Sequence, residues 1–435
     1  MYGWYAWKRN WTWQRRRSKT KLGQEGENVK EILVVGGGAA GIAAALSAAE
    51  AGGRVTILEG LNRPGKKLLV TGNGRCNLGN TRIAPECYHT ARPDRLKVLL
   101  KQMPATLTTD FFERWGLMTM ADEAGRLYPY CRQASMVVDV LLLALQRRGV
   151  AVETDCTVTE AFWDRGGFTV KSSQGSRWRS DALILAAGGK AAPKQGLNGG
   201  GYALAKGFGH SCTPLYPCLT ALRCTHSALR GLKGIRVLCT VALCAGGREI
   251  ARESGELQLT EYGVSGIPAM QLSCRLGAQK GANVSVDFFP DCSMRALHTL
   301  LRRRAEECPD STLEDAFLGL LHKRIMYALM KEAGLSPLSR TVRTLRPEEL
   351  ARLAELLKNW RLPVEGPMGW EQAQVTGGGI ALQEIGDDFQ SRCRPGLYLA
   401  GEVLDVAGEC GGYNLHWAWC SGILAGRRAV GEAEL

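Results

Sequence analysis

At 435 residues the chain is longer than a single simple core supports, so two or three domains are expected. Its 45% hydrophobic and 22% charged residues fit an ordinary globular protein. The +13 formal charge is uneven: Lys8, Arg9, Arg15, Arg16, Arg17, Lys19 and Lys21 put seven cations, and no acid, into the first 22 residues.

That amino-terminal stretch, 1–29, also holds Trp4, Trp7, Trp11 and Trp13. Its composition is expected of a disordered tail. Indoles interleaved with cations leave open stacking on nucleic acid or docking on an anionic membrane. The fifteen cysteines contain no C-x-x-C spacing, and no secretory apolar region accompanies them, so a reducing cytoplasm is the expected location. No Cys/His group has zinc-ligand spacing, and no metal is expected.

The apolar run from Ile32 to Ala49 is long enough for a membrane span, but it is rich in Gly and Ala and flanked by Glu31 and Glu50. It reads better as a strand, a glycine turn and a helix. Gly36, Gly38 and Gly41 stand in G-x-G-x-x-G spacing after "EILVV". The first glycine permits the turn, the second lets a pyrophosphate reach the backbone, and the third allows close helix packing. Ala39 and Ala40 open the helix, whose free N–H groups and positive dipole end suit phosphates. The following strand, "RVTILE", ends at Glu59, 18 residues after Gly41, where a carboxylate can accept bonds from an adenosine ribose.

A long loop comes next instead of another helix. "RPGKKLLVTGNGRCNLGN", residues 63 to 80, carries Lys67, Gly72, Gly74, Arg75, Cys76 and Asn77. Its N–H donors and cations suit a diphosphate and the polar edge of an isoalloxazine ring, which separates FAD from NAD. "DALILAAGG" is a further apolar strand, whose Ala187 and Gly188 let backbone pass close to a cofactor. Residues 210 to 290 alternate short β-like runs with turns, 293 to 360 read as helices, and the nucleotide-binding pattern resumes at "VTGGGI". Near the end, "LYLAGE" is a strand, and a Gly-Gly turn starts a helix near Tyr413 and Asn414, its dipole favouring negative charge on a reduced flavin. The two glycine turns, some 370 residues apart, would hold opposite ends of one FAD.

Over nearly all of its length, from about residue 30, the chain resembles the BaiN/RdsA family of FAD-dependent oxidoreductases. The resemblance rests on "VVGGGAAG", "GKKLLVTGNGRCN", "GRLYP", "NGGGYALAKGFGH", "GELQLTEYGVSGIPAMQLS", "VTGGGIALQEI" and "GLYLAGEVLDVAGECGGYNLHWAWCSG". It implies an α/β, Rossmann-like FAD-binding domain in two parts, with a β-barrel-like domain and a small helical subdomain inserted. The expected limits are 30–195 for the first part, 196–292 for the barrel, 293–360 for the helices, and 361–435 for a return strand and the second part. The resemblance also implies that Gly36, Gly38, Ala39, Ala40 and Glu59 meet the AMP half. Lys67, Gly72, Gly74, Arg75, Cys76 and Asn77 would meet the flavin side, and Gly401, Glu402, Gly412, Tyr413, Asn414 and Leu415 the carboxy-terminal contact. Ala187, His416 and Cys131 depart from the family's common Thr, Gln and Ser, so no chemistry is carried onto them.

The expected activity is NAD(P)H-driven reduction of a conjugated C=C bond in a small, steroid- or bile-acid-like substrate, by hydride transfer through flavin N5. An amine oxidase using O2, or a flavoprotein docking on RNA or membrane through its tail, are the alternatives. No second glycine fingerprint marks a separate NAD(P)H domain, so that donor would bind transiently. Cys239 and Cys244 lie in one expected strand with side chains on opposite faces, which argues against a disulfide reductase.

Overall fold

The computed structural model describes residues 29–196, 198–277 and 281–431. The basic tail lies outside them. The Ile32–Ala49 run splits as its composition requires, into strand β1 (Glu31–Val35) and helix α1 (Ala39–Glu50), followed by strand β2 (Arg54–Leu58). Among the described residues no helix is long and apolar enough to cross a membrane.

β1 is the centre of a five-stranded parallel sheet in the order Leu397–Leu399, Ala182–Leu185, β1, β2, Ala151–Glu153. Val35 pairs with both Leu58 and Leu185, and Leu185 with Leu399, so the carboxyl ends of four strands are level. Strand order reverses beside β1, where open parallel sheets form a ligand crevice. These strands are almost wholly apolar because both faces are covered, and one buried core joins them to α1 and to the C-terminal helix Tyr413–Val430.

The two helices touch along their small residues. A Cβ on Gly422 would lie 2.3 Å from the Ala40 carbonyl oxygen, and one on Gly426 2.2 Å from that of Ala44. Two glycines and two alanines, each pair four residues apart, therefore let the first and last helices approach backbone to backbone. That contact carries the end of the chain to the beginning of the site.

The chain leaves this layer at Tyr216–Cys218 and returns at Val375–Gly377, and the two crossings pair as an antiparallel ribbon. Between them lies a closed six-stranded barrel. Its last strand, Trp360–Pro367, follows the helices Met294–Glu307, Lys323–Glu332 and Pro347–Lys358 and closes the barrel against Asn283–Asp287 and Leu222–Cys224. Barrel and helices share one apolar core, in which Trp360 is fully buried. Cys239 is buried and Cys244 half-buried in the same barrel strand, and both are free thiols.

Candidate functional site

The glycines after β1 divide by what an added side chain would meet. A Cβ on Gly36 (φ 103°) would sit 2.5 Å from the Ala186 oxygen, and one on Gly41 1.8 Å from the Gly36 oxygen, so the protein's own packing requires both. Gly38 is different. It caps α1 in an extended conformation with nothing within 4 Å of a Cβ. Open space thus lies over the end of a 12-residue helix whose first amides have no intrahelical acceptor. Ala39 and Ala40 are the first residues of that helix. The Gly37 N–H donates to Glu59 Oε2 at 2.6 Å and the Leu61 N–H to Oε1 at 2.8 Å. Burial pushes the Glu59 carboxyl up, against the pull of these two amides. Each of its oxygens keeps a lone pair for a further donor.

The loop after β2 docks on the turn, Gly65 N–H donating to Gly37 O at 2.8 Å. Gly72, Asn73 and Gly74 follow one another in left-handed backbone (φ 55°, 54° and 80°), all three are exposed, and nothing lies within 4 Å of a Cβ on Gly74. Arg75 is exposed. Cys76 is fully buried and burial pushes its thiol up to about 12, so it stays protonated and is no nucleophile. The Asn77 Oδ1 is buried without a partner and faces Gly412, where a Cβ would lie 2.5 Å away. Lys67 reaches Glu402, 335 residues away, at 2.9 Å, and Glu402 Oε1 accepts the Thr376 N–H at 2.9 Å.

Ala187 and Gly188 (φ 72°) leave the Ala182–Leu185 strand half-buried beside these groups. Gly401 (φ 78°) abuts Ala40; its N–H donates to Ser421 and its carbonyl accepts from Trp417 Nε1. Gly412 (φ 102°) caps the C-terminal helix against the Gly79 carbonyl, 2.2 Å from a would-be Cβ. Tyr413 is buried edge-on to Tyr88, with ring centroids 5.7 Å apart. Leu415 is half-buried in the helix's first turn. The Asn414 side chain holds its own loop, accepting from Gly408 N at 2.8 Å and donating to Gly408 O at 2.7 Å, which leaves its backbone rather than its amide for any ligand.

Two histidines are structural. His416 takes the Thr108 hydroxyl on Nδ1 at 2.9 Å and gives Nε2–H to Met103 O at 3.0 Å; burial lowers it to about 4, so it is neutral. His210 bridges Glu384 and Ser391 at 2.9 and 2.7 Å. The Ser391 oxygen also accepts the Cys393 and Arg394 amides, so its proton points at His210 Nε2 in a closed network with no free nucleophile. Asp405 is likewise committed, accepting from Ala91 N at 3.0 Å.

The sequence reading missed a second group, where the barrel faces the loop before the C-terminal helix. Arg275, on the barrel helix Ile267–Leu276, stands 3.9 Å from Glu409; Gln271, one turn earlier, donates to Glu253 at 2.6 Å; His89 presents a buried Nε2 without a partner. Apart from Arg275 and Gln271, which share that helix, they come from separate elements, so no local spacing announces the group.

Residues 30–428 match the family described as HI0933-like protein Rossmann domain. The chain belongs to that family. It is a FAD-dependent oxidoreductase, and the resemblance read from its motifs is borne out. It is 37% identical over 409 residues to the 3-dehydro-bile acid delta(4,6)-reductase of Clostridium scindens, covering 92% of this chain and 99% of that one. It is 30% identical to the ribosomal RNA dihydrouridine synthase of Escherichia coli and 27% to that of Haemophilus influenzae, each over 90% of this chain and 96% of the relative. The residues present fit the dinucleotide: an open helix N-terminus at Gly38, an exposed left-handed turn at Gly72–Gly74 with open space over Gly74, and the orphaned Asn77 oxygen.

Proposed function

We propose that the protein reduces a C=C bond conjugated to a carbonyl in a small, steroid- or bile-acid-like substrate, with NAD(P)H as the electron donor. The observation that carries this reading is the 37% identity, end to end, to a relative described as a bile-acid delta(4,6)-reductase. FAD would lie across the carboxyl edge of the parallel sheet, and when bound it supplies the two-electron hydride chemistry.

The chain's own residues do the positioning. The Gly38–Ala40 amides and Glu59 would hold the adenosine end. Lys67, the Gly72–Asn77 loop, Ala187, Gly188, Gly401, Glu402 and the Gly412–Leu415 helix start would hold the other. The positive end of an 18-residue helix favours negative charge at that second end. Lys67 and Glu402 neutralise one another, so neither leaves an uncompensated charge in a half-buried site.

A second reading is a uracil ring within RNA. The two dihydrouridine synthases favour it, since by name they saturate that ring, and so does the +13 charge. Both readings require an activated C=C bond.

The test is anaerobic titration of the FAD-loaded protein with NADPH and then NADH, followed by a 3-oxo-4-ene steroid or by ribosomal RNA. The flavin absorbance is expected to bleach with a nicotinamide and to return with the steroid. Return with RNA alone moves the assignment to the second reading. Bleaching by a small amine, with peroxide formed in air, overturns both.

A further inference from the structure

We propose that Glu409 is the acid that protonates the substrate carbon in this reduction; the inference rests on the reductase reading above. Saturating a C=C bond adds one hydride and one proton. The hydride, with both electrons, comes from the redox cofactor. The proton must come from a group of the protein, which is left as its conjugate base and is recharged from water.

The position of Glu409 is fixed by pairing. Ala407 and Gly408 pair with His89 and Tyr88, and the Glu409 N–H donates to Cys87 O at 2.9 Å. Three residues later Gly412 caps the helix proposed to meet the redox ring. Among the described residues the Glu409 side chain makes no hydrogen bond, its ion-pair partner Arg275 stands 3.9 Å away across the junction, and it is 23% exposed, so a substrate between barrel and loop can touch it.

Its neighbours are poorer acids. Burial, aided by the Arg275 charge, lowers His89 to about 4, so it carries no proton to give at neutral pH. Burial raises the Cys410 thiol to about 12. The Tyr413 hydroxyl is raised well above its usual range by burial and by Cys87. The Arg275 guanidinium, a donor with no acceptor of its own, suits the developing oxygen charge of the carbonyl instead. Two carboxyls remain. Both are raised, Glu409 by burial and by the charge of Glu253, and Glu253 by burial; but Glu253 already accepts the Gln271 amide. Two facing carboxylates share protons more readily than they both ionise.

The experiment has two arms. In the FAD-free protein, infrared titration across pH is expected to show a carboxyl that loses its proton above the ordinary glutamate range, the direction that burial and the Glu253 charge impose, and that Glu409→Gln removes; a titration unaltered by that variant overturns the proposal. In the FAD-loaded protein, reduced anaerobically with dithionite and mixed with a 3-oxo-4-ene steroid, Glu409→Gln is expected to slow reoxidation about 100-fold. Reduction by NADPH should be unchanged, and Glu409→Asp should recover part of the rate. Reoxidation of Glu409→Gln within twofold of wild type overturns the proposal and leaves the reductase reading standing. A wild type that no C=C acceptor reoxidises removes the reading itself, and the proposal with it.

Discussion

Replacing Gly38 by Asp is expected to leave the FAD-free protein as stable as wild type or slightly more so, and to weaken its hold on FAD about a hundredfold. No atom lies within 4 Å of a Cβ there, and the backbone (φ −81°, ψ −167°) is one that any L-residue adopts. Asp is among the best helix N-caps, and its charge is favourable beside the helix dipole, so the apo fold loses nothing. The same carboxylate then occupies the space over the amides that a pyrophosphate needs. Like-charge juxtaposition of roughly 3 kcal/mol corresponds to about a hundredfold weaker FAD binding. Gly41→Ala makes the contrast: its Cβ meets the Gly36 oxygen at 1.8 Å, so the apo protein itself should lose stability. Thermal unfolding of the FAD-free variants and FAD titration by flavin fluorescence separate the two. A Gly38→Asp variant that binds FAD normally would place the dinucleotide elsewhere.

Those glycines also mark how far the sequence was legible. "VVGGGAAG" and Glu59 are local grammar: one strand, one turn, one helix and the acid that follows, all within 30 residues. Spacing alone carries such information, because the backbone geometry repeats wherever the pattern does. The carboxy-terminal helix start was legible for the same reason. What depends on two distant segments meeting was not. Lys67 and Glu402 were each singled out, but nothing in either stretch says that they pair. Asn414 was read as a ligand contact, yet its amide closes its own loop on Gly408. The segments of His89 and Glu409 are joined by two-residue strands, too short for any periodicity, and Arg275 and Glu253 arrive from the barrel. A site assembled at the junction of three layers leaves its residues individually ordinary.

The long-range contact that assembles the site can be broken with one methyl-bearing side chain. Gly422→Val is expected to lower both stability and FAD affinity, because its Cβ would meet the Ala40 carbonyl oxygen at 2.3 Å. A backbone atom cannot rotate aside as a side chain can, so the helices must separate, at a cost of about 1–3 kcal/mol or more. Ala40 lies in the first turn of α1, next to the open N-terminus at Gly38, and Gly401 also abuts it, a Cβ there lying 2.7 Å from the Ala40 Cβ. Movement of α1 therefore displaces the amides of the adenosine end and the turn that carries Glu402 together. Gly207→Ala serves as the control, since nothing lies within 4 Å of its Cβ and a helical alanine is favourable by roughly 0.5–1 kcal/mol. FAD at a hundred times its Kd should add about 2.7 kcal/mol to the wild type and to Gly207→Ala, and distinctly less to Gly422→Val. If Gly422→Val unfolded early but bound FAD as tightly as wild type, the helix contact would serve the fold alone and the two halves of the site would be held by their loops.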